Sequence, residues 1–495
     1  MDTKKIIDKL YWPLFILLMS ILALLCFYKL GDYVILPWDE LRHGLNAFEM
    51  LKKNNYLVNY AYGEVDYWNV KPPLHFYFVM LGYKIFGYNP LGLRFFSALA
   101  YLILTLIIAL FLKKKTNKIA SLLSIVILSV SVSFFYHHFV RHGDADSIFI
   151  LFVGIALISL ILSSENSNWL HLTGLMFALG FLTKSWHTLI LVPIIFFYWL
   201  FTQLYKKMKW WQYLTCFLCA IIPIFLWAIA RFNFDGFKFF KEMFWYDLFD
   251  RTTTVIENNE KNNYFTYYLV QLFNNPIQLI CLILFLINFT IKLIKKQKIT
   301  NIDKLCLISF LSIFILFTIA QTKLQWYIFP TCVPLTIAGA ISTVDIFHHL
   351  KYQLPQILFY CSLIITTIHC LFLTTHTIDS NNKYPRISNE IIQIIKPYNN
   401  KEQTANIFYE YHYEYNDEKK YDLYWWKHET LPLIFEWELN TVIKFQWGGY
   451  DSFVQEKNSY LFMSREQFET KAVPDYIKII GKSENFVFCY NALAE

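Results

Sequence analysis

The chain has 495 residues, of which 56% are hydrophobic and 19% aromatic, while only 16% are charged. Apolar runs long enough to cross a bilayer, roughly 17–25 residues each, recur along about three quarters of it, which excludes an ordinary soluble domain. The net charge of +7 does not indicate a nucleic-acid partner, because the basic residues fall in the short gaps between the apolar runs. The composition therefore predicts a polytopic α-helical membrane protein.

The first apolar run follows Lys4, Lys5 and Lys9 and has no small-residue cleavage site after it, so we expect a retained first helix rather than a cleaved signal. In chain order, the candidate spans cover roughly 11–30, 91–112, 119–136, 147–163, 169–183, 186–205, 210–230, 268–291, 302–320, 325–344 and 353–375. With one or two further pieces, the sequence predicts about 11–13 transmembrane helices.

Basic clusters mark one side of the membrane. "KKKTNK", "KKMK", "KKQK" and "HHLK" lie in alternate gaps, on the same side as the N-terminus. Because cytoplasmic loops carry the excess of Lys and Arg, that side is predicted to be the cytoplasm. An odd number of spans then places the C-terminal tail outside, in the periplasm of a bacterial inner-membrane protein.

The chain is predicted to divide into a transmembrane part, 1–375, and a small extracytoplasmic α/β domain, 376–495. The polar stretch "DSNNKYPR" links the two. Two long outer loops, about 31–89 and 231–267, indicate work at the outer surface. Eight of the nine cysteines lie in or beside apolar runs, so a disulfide scaffold is not expected, and the Cys216–Cys219 spacing indicates packing.

Acidic and basic side chains gather where the chain leaves the lipid. "LPWDELRHG" places Asp39, Glu40 and Arg42 directly after the first span, and "VRHGDADS" places Asp146 at the start of another. A carboxylate can orient or deprotonate an acceptor, and cations stabilise the charge on a departing phosphate. The alternative is that these acids cap helices and pair with nearby bases.

Five stretches carry a family resemblance in the right order. They are "DELR", "KPPL", "VRHGDADSIF", "GFLTKSWHTLILVP" and "TKLQWYIFPTCVPL". The chain, over roughly residues 10 to 350, resembles bacterial lipid-linked sugar transferases of the aminoarabinose (lipid A) transferase and protein O-mannosyltransferase type. The resemblance implies a glycosyltransferase C-type membrane fold and a sugar donor linked to polyprenyl phosphate.

The resemblance also implies roles for individual residues. Asp39 is the expected principal catalytic or acceptor-orienting carboxylate, and Asp146 the second. Arg42, Lys71 and Arg251 are expected to bind the polyprenyl phosphate, since an arginine fork can hold two phosphate oxygens. The predicted substrate-binding set is completed by Glu40, Arg141, Lys323 and Tyr327.

Metal binding is left open by the same comparison. Relatives often carry an acid before the Lys-Pro-Pro element and a histidine in the middle loop, where this chain has Val70 and the acids Glu257 and Glu260. His137, His138 and His142, beside Asp144 and Asp146, are zinc-type ligands, but such a cluster is more often polar packing. No cofactor and no metal ligand are therefore assigned.

The resemblance predicts transfer of a sugar from undecaprenyl phosphate to an envelope acceptor at the outer face of the inner membrane, with lipid A phosphate the foremost candidate. A protein or polysaccharide hydroxyl is the alternative acceptor. A transporter or flippase of lipid-linked sugars is the alternative of another class. It is disfavoured because the span interiors are nearly free of charged residues, which a transport path needs.

Overall fold

The protein is described here from a computed structural model. It covers residues 3–32, 35, 38–136, 138–255, 264–349, 368, 371–372, 375–376, 385–395, 404–410, 430–446 and 448–492. His137, Glu257, Glu260 and nearly all of the predicted span at 353–375 lie outside the described residues.

Most of the described chain is helical, as the sequence predicts. Seven segments are long and apolar enough to cross a membrane: Lys9–Phe27, Pro90–Lys115, Trp169–Thr202, Trp210–Asp235, Pro276–Ile294, Asn301–Ile319 and Gln325–Phe347. Three shorter apolar helices are Leu74–Phe86, Lys118–Ser129 and Asp146–Leu162. The polytopic helical membrane fold expected from composition is therefore confirmed.

The segment Trp169–Thr202 changes backbone geometry in its middle. A helix over Trp169–Lys184 is followed by a 3₁₀ turn over Ser185–Ile190 and a second helix over Leu191–Thr202. Ser185 has φ 47° and ψ −128°, a conformation that L-residues rarely adopt. Lys184, which ends the first helix, is thus held directly beside a strained residue.

Compactness divides the chain into two units. The first consists of Met1–Tyr28, Val70–His75 and Phe95–Thr377. Its further helical segments are Thr3–Phe27, Ser133–Tyr136, Leu204–Lys206, Lys238–Phe244, Trp245–Asp250, Arg251–Thr253, Tyr267–Phe273, Gln325–Thr331 and Cys332–His349. Tyr11 and Phe15 of the first helix pack against Ala109 and Ile125 in one of its cores.

The middle loop of the first unit is fixed where it leaves its span. Arg231, which is fully buried, pairs with Asp235 at 2.6 Å and lies 4.0 Å from the ring centre of Phe239. The span ends at Gly236, whose φ of 60° suits a residue without a Cβ. This arrangement anchors the short helical stretch that carries Asp247 and Arg251.

The second unit consists of Lys29–Asn69, Phe76–Arg94 and Ile378–Glu495. Its loop segment has a helix over Asp39–Lys52, hereafter the loop helix, and a two-stranded hairpin of β1 (Tyr60–Ala61) and β2 (Glu64–Val65). Its C-terminal segment has helices over Pro385–Ile395, Thr430–Leu439, Gly449–Gln455 and Arg465–Phe468. We call Thr430–Leu439 the domain helix.

The C-terminal segment carries a five-stranded sheet in the order β4-β3-β5-β7-β6. Its strands are β3 (Thr404–Glu410), β4 (Val442–Gln446), β5 (Ser459–Ser464), β6 (Ile477–Lys482) and β7 (Phe486–Asn491). The β3 strand is parallel to β4 and β5, whereas β7 is antiparallel to β5 and β6. A small C-terminal α/β region is therefore confirmed, while the boundary at 375/376 stays a prediction.

Apolar side chains of the loop helix share a core with the C-terminal segment. Leu41, Leu45 and Phe48 lie in one buried cluster with Leu433 of the domain helix. Gly44 permits this approach, because a Cβ there would lie 2.9 Å from Leu433 Cδ2. The first outer loop and the C-terminal segment are thus parts of one folded unit.

Candidate functional site

In the second unit, Asp39 begins the loop helix. Two acids, Asp39 and Glu40, occupy the first turn, where the helix dipole favours negative charge. Asp39 is half-buried, and Trp38 before it has φ 75° and an exposed side chain. The rare backbone conformation of Trp38 fixes the direction in which the helix starts.

Glu40 is engaged in a closed ion pair. Arg94 Nε and Nη2 donate to its two oxygens at 2.5 and 2.9 Å, and Nη1 donates to the carbonyl of Leu30 at 3.2 Å. Both charged side chains are fully buried. Because Arg94 uses both carboxylate oxygens, this geometry suits a structural role, and substrate binding by Glu40 stays a prediction.

Arg42 is likewise paired within the second unit. Its Nε and Nη2 donate to Asp66 at 2.7 and 2.9 Å, and its guanidinium lies 4.9 Å from the ring of Tyr62 and 5.4 Å from that of Trp68. Burial alone would raise the pKa of Asp66, but hydrogen bonds from Arg42 and Asn46 outweigh it and hold that pKa below its usual range. Asp66 is therefore ionised at neutral pH and fixes the guanidinium.

In the first unit, Arg141 binds the end of the first helix. Its guanidinium donates to the carbonyls of Leu25, Cys26 and Tyr28 at 2.9, 3.3 and 2.7 Å. Leu25 and Cys26 lie in the last turn of Thr3–Phe27, and Tyr28 directly follows it. The carbonyls at this end of a helix have no amide donors within the helix. Arg141 is thus a helix cap, and its predicted contact with substrate remains a prediction.

Asp146 and Lys184 form a buried ion pair within the first unit. Asp146 is the first residue of the helix Asp146–Leu162, and Lys184 is the last of Trp169–Lys184. Each charge therefore lies at the helix end whose dipole favours it. The pair holds a carboxylate and an ammonium in one fixed place at the ends of two helices.

Lys184 and Arg251 of the same unit both lie beside Tyr327, which packs against His187. Lys184, Arg251 and Lys71 all act electrostatically on the His187 imidazole. Arg251 Nη1 donates to the hydroxyl of Tyr327 at 3.0 Å, and the Tyr327 ring lies 4.8 Å from that of His187. This group, hereafter the cation cluster (Lys71, Lys184 and Arg251), brings together two residues that the sequence predicts for phosphate binding and adds a third.

Asp247 links the cation cluster to the strained turn. Its Oδ2 accepts from Ser185 Oγ at 2.6 Å, and its Oδ1 lies 3.4 Å from Arg251 Nε. Arg251 also accepts through its carbonyl from Thr322 N at 3.1 Å. The middle loop is therefore hydrogen-bonded to Ser185 through Asp247 and to Thr322 through the carbonyl of Arg251.

Lys323 directly follows Thr322, which donates to the Arg251 carbonyl. Its ammonium is buried and donates to the carbonyl of Ala320 at 2.6 Å. Burial lowers the pKa of Lys323. The sequence places Lys323 and Tyr327 together in one motif, and Tyr327 accepts a hydrogen bond from Arg251.

A histidine and an acid pair near the start of the same unit's Asp146 helix. His138 Nδ1 lies 2.8 Å from Asp144 Oδ2, and the His138 ring stacks on Trp326 at 3.8 Å. His75 contacts the carbonyl of Gly143 at 2.9 Å. An imidazole nitrogen and a carboxylate oxygen are ligands that zinc accepts, so a metal here stays an open prediction, as it was from the sequence.

Lys184 and Asp247 stand among the candidate ionisable residues between the predicted spans, but the sequence gives neither of them, nor Arg94, a specific role. Lys184 stands inside the "GFLTKSWH" stretch, one of the motifs that carry the family resemblance, so that motif could have identified it. Arg94 lies near the start of a long apolar helix, where an arginine is costly unless paired. Asp247 gave no comparable signal, because its partners are 62 residues away and four residues away.

Comparisons with known proteins agree with the resemblance. Residues 70–234 match the family described as dolichyl-phosphate-mannose-protein mannosyltransferase. An undecaprenyl phosphate-alpha-4-amino-4-deoxy-L-arabinose arabinosyl transferase of Edwardsiella ictaluri is 27% identical over 61% of this chain and 54% of its own. The enzyme of that name from Shewanella sediminis is 25% identical over 70% of this chain and 62% of its own. The chain thus spans less than two thirds of these relatives' length.

Solved structures match the fold over a larger part of this chain than the curated relatives do. The crystal structure of ArnT from Cupriavidus metallidurans bound to undecaprenyl phosphate matches with a TM-score of 0.70 at 13% identity, covering 97% of this chain and 99% of the other. An oligosaccharyltransferase from Archaeoglobus fulgidus matches with a TM-score of 0.53 at 11% identity, over 93% and 70%. The chain is a multi-span membrane protein with this transferase fold, and its resemblance to lipid-phosphate-sugar glycosyltransferases of the aminoarabinose and protein mannosyltransferase type is confirmed.

Proposed function

We propose that this protein is a glycosyltransferase that moves a sugar from undecaprenyl phosphate to an envelope acceptor, foremost a phosphate of lipid A. The observation that carries the proposal is the cation cluster in the first unit, where Arg251 and Lys184 lie beside Tyr327 and act, together with Lys71, on His187. A phosphate monoester or diester is the ligand that such a group of fixed cations fits. The names of the curated relatives support the donor class.

The acceptor attacks the anomeric carbon of the sugar, and the bond from that carbon to the phosphate oxygen breaks with its electron pair going to the phosphate. The departing undecaprenyl phosphate gains negative charge, which the cation cluster stabilises. Tyr327 holds Arg251 in place through its hydroxyl, at 3.0 Å. Direct displacement inverts the configuration at the anomeric carbon.

Asp39 is the proposed acceptor-orienting carboxylate. An ionised lipid A phosphate has no proton to lose, so Asp39 positions it, whereas a hydroxyl acceptor gives its proton to Asp39 as general base. Asp146 is the proposed second carboxylate, which holds the Lys184 ammonium in place as its buried partner. These roles rest on the resemblance and on the residues' positions at helix starts.

We place the N-terminus in the cytoplasm and the C-terminal domain in the periplasm. The alternation of basic clusters supports this orientation. The acceptor phosphate of an envelope glycolipid and the lipid-linked donor then both lie at the outer face of the inner membrane. No metal is required by this scheme.

A second candidate acceptor is a protein hydroxyl. The family match over residues 70–234 carries a protein mannosyltransferase description and favours it. The two candidates share the donor chemistry and differ only in the acceptor. A transporter of lipid-linked sugars is the remaining alternative, and it would move the donor without consuming it.

The test is mass spectrometry of envelope lipids and proteins from cells that lack this protein, complemented with wild type or with Asp39→Ala. We expect lipid A to lose a single-sugar increment in the deletion strain and to regain it only with wild type. Loss of a sugar from proteins instead would move the acceptor to protein. An unchanged set of glycolipids and glycoproteins in all strains would contradict the proposal.

A further inference from the structure

The loop helix and the domain helix are held together by polar as well as apolar contacts. Lys52 Nζ donates to Asn440 Oδ1 at 2.6 Å, and Lys444 pairs with Glu64 at 3.1 Å. These pairs lie around the buried cluster that includes Leu45 and Leu433. Segments almost 400 residues apart in the chain are therefore joined within the second unit.

Two glutamates lie buried inside this contact. Glu49 of the loop helix and Glu436 of the domain helix are both fully buried. Gly63 N donates to the two oxygens of Glu49 at 3.0 and 3.2 Å, and Ile443 N donates to Glu436 Oε1 at 3.1 Å. The second oxygen of Glu436 has no donor among the described residues when both carboxyls are ionised.

Glu49 and Glu436 act on each other as neighbouring carboxyl groups. An ionised carboxylate only accepts hydrogen bonds, so a bond between the two carboxyls, which would satisfy the second oxygen of Glu436, needs one of them to carry a proton. Two ionised carboxylates in contact in a buried site repel each other strongly. The pair is therefore built to hold one proton between the loop and the C-terminal domain.

Two lysines and a tyrosine act on the glutamate pair from around it. Lys53 acts on both glutamates, while its ammonium donates to the carbonyl of Gly63 at 2.8 Å and lies 4.8 Å from the ring of Tyr60. Lys52 acts on Glu436 from the rim. Tyr83, from the helix Leu74–Phe86, also faces Glu436 and is buried and neutral. The two ammonium groups donate to Asn440 and to the Gly63 carbonyl, so they act on the glutamate pair from the edge of the contact.

We propose that the C-terminal domain positions the loop helix, and with it Asp39, through a proton shared by Glu49 and Glu436, and that loss of this proton loosens the helix. The functional part of this inference rests on the proposed glycosyltransferase activity. Glu49 and Glu436 are positioning residues, because they act through the helix that Asp39 begins.

The direction of the pH effect follows from burial. Burial raises the pKa of Glu49 to about 7 and raises the pKa of Glu436 well above its usual range. A carboxyl whose pKa is raised on folding stabilises the fold below its ordinary pKa, and this stabilisation is lost as pH rises through the raised value. Glu49 is the first of the pair to lose its proton, near pH 7, and Glu436 holds the remaining shared proton to a higher pH. The loop helix is therefore expected to be held firmly at pH 6 and to loosen as pH rises through the raised pKa of Glu436.

The experiment is hydrogen–deuterium exchange of the full-length protein in lipid nanodiscs, read on amides of 39–52 at pH 6 and pH 9 after correction for the intrinsic exchange rate. In wild type we expect protection of this helix to fall by about tenfold or more between the two pH values. In Glu436→Gln a permanent amide donor replaces the shared proton, so the fall is expected to stay below about twofold. Glu49→Gln gives the same result if the other variant fails to fold.

The matched control is Glu466→Gln, which removes an exposed glutamate of the same domain and is expected to behave as wild type. Equal pH dependence in wild type and both buried-site variants would overturn the shared-proton inference. The sugar-transfer rate is measured on the same samples, and we expect its alkaline decline to be reduced in Glu436→Gln. Absence of transfer in every sample would instead refute the proposed function, while the exchange data still decide the inference.

Discussion

The charged residues of the two units are arranged in different ways. In the second unit, Glu40 with Arg94 and Asp66 with Arg42 form closed two-hydrogen-bond pairs that leave each carboxylate satisfied. In the first unit, Lys184 pairs with Asp146 and Arg251 lies 3.4 Å from Asp247, while both cations also lie beside Tyr327. Closed pairs fix a backbone, whereas several cations gathered in one place suit an anionic ligand.

The largest expected effect is on stability, at the closed pair. Arg94→Ala leaves Glu40 buried without its partner, so we expect the free energy of unfolding to fall by about 3–5 kcal/mol. Thermal unfolding of the purified protein measures this change. The double variant Glu40→Leu/Arg94→Leu removes both charges and should recover most of the loss; a single variant as stable as wild type would contradict a structural role for the pair.

The next effect is on catalysis, at the cation cluster. Arg251→Ala removes a cation that faces His187 and Tyr327, so we expect sugar transfer to fall by about 10²–10³-fold. The melting temperature is expected to stay close to that of wild type, because the Arg251 side chain is partly exposed. A loss of transfer that follows a loss of folded protein would assign Arg251 to structure instead.

Arg141 sharpens the comparison, because it lies in the first unit but has the contacts of a structural residue. Arg141→Lys keeps the charge but loses the fork that reaches Leu25, Cys26 and Tyr28, so we expect about 1–3 kcal/mol of destabilisation. Binding of undecaprenyl phosphate is expected to be unchanged. Weaker binding with unchanged stability would restore Arg141 to the phosphate site that the sequence predicts for it.

The smallest effect is expected at Asp247. Asp247→Asn keeps a partner for Ser185 but removes the negative charge beside Arg251, so we expect undecaprenyl phosphate to bind a few-fold more tightly, equivalent to about 0.2–1 kcal/mol. The gain should shrink in high salt. The exposed Asp475→Asn serves as the control and is expected to bind as wild type does; weaker binding by Asp247→Asn would mean that Asp247 orients Arg251.

The sequence predicted the helical membrane fold because long apolar runs are a direct signal of bilayer spans. It also placed Lys71, Arg251 and Tyr327 in one functional set from separate motifs; Arg251 donates to Tyr327, and both cations act electrostatically on His187. The sequence did not predict which residues far apart in the chain contact each other. Arg94 meets Glu40 across 54 residues, and Glu49 meets Glu436 across almost the whole chain, at spacings that no local period records.

The two predicted spans at 169–183 and 186–205 illustrate the same limit. The structure joins them through a 3₁₀ turn that begins at Ser185, in a segment apolar over its whole length. Hydropathy does not record a change from α to 3₁₀ geometry, since the composition continues unchanged. The strained Ser185 is visible only once its backbone and its bond to Asp247 are known.

The most direct test of the central claim is the affinity of the purified protein for undecaprenyl phosphate in nanodiscs. Wild type is compared with Lys71→Gln/Arg251→Gln and with a matched double variant of exposed cations, Arg465→Gln/Lys482→Gln. We predict that the first double variant loses about 100-fold in affinity, since two charge-assisted hydrogen bonds are removed, and that the second loses none. Equal affinities in the two double variants would contradict the assignment of the cation cluster as the site of the lipid phosphate.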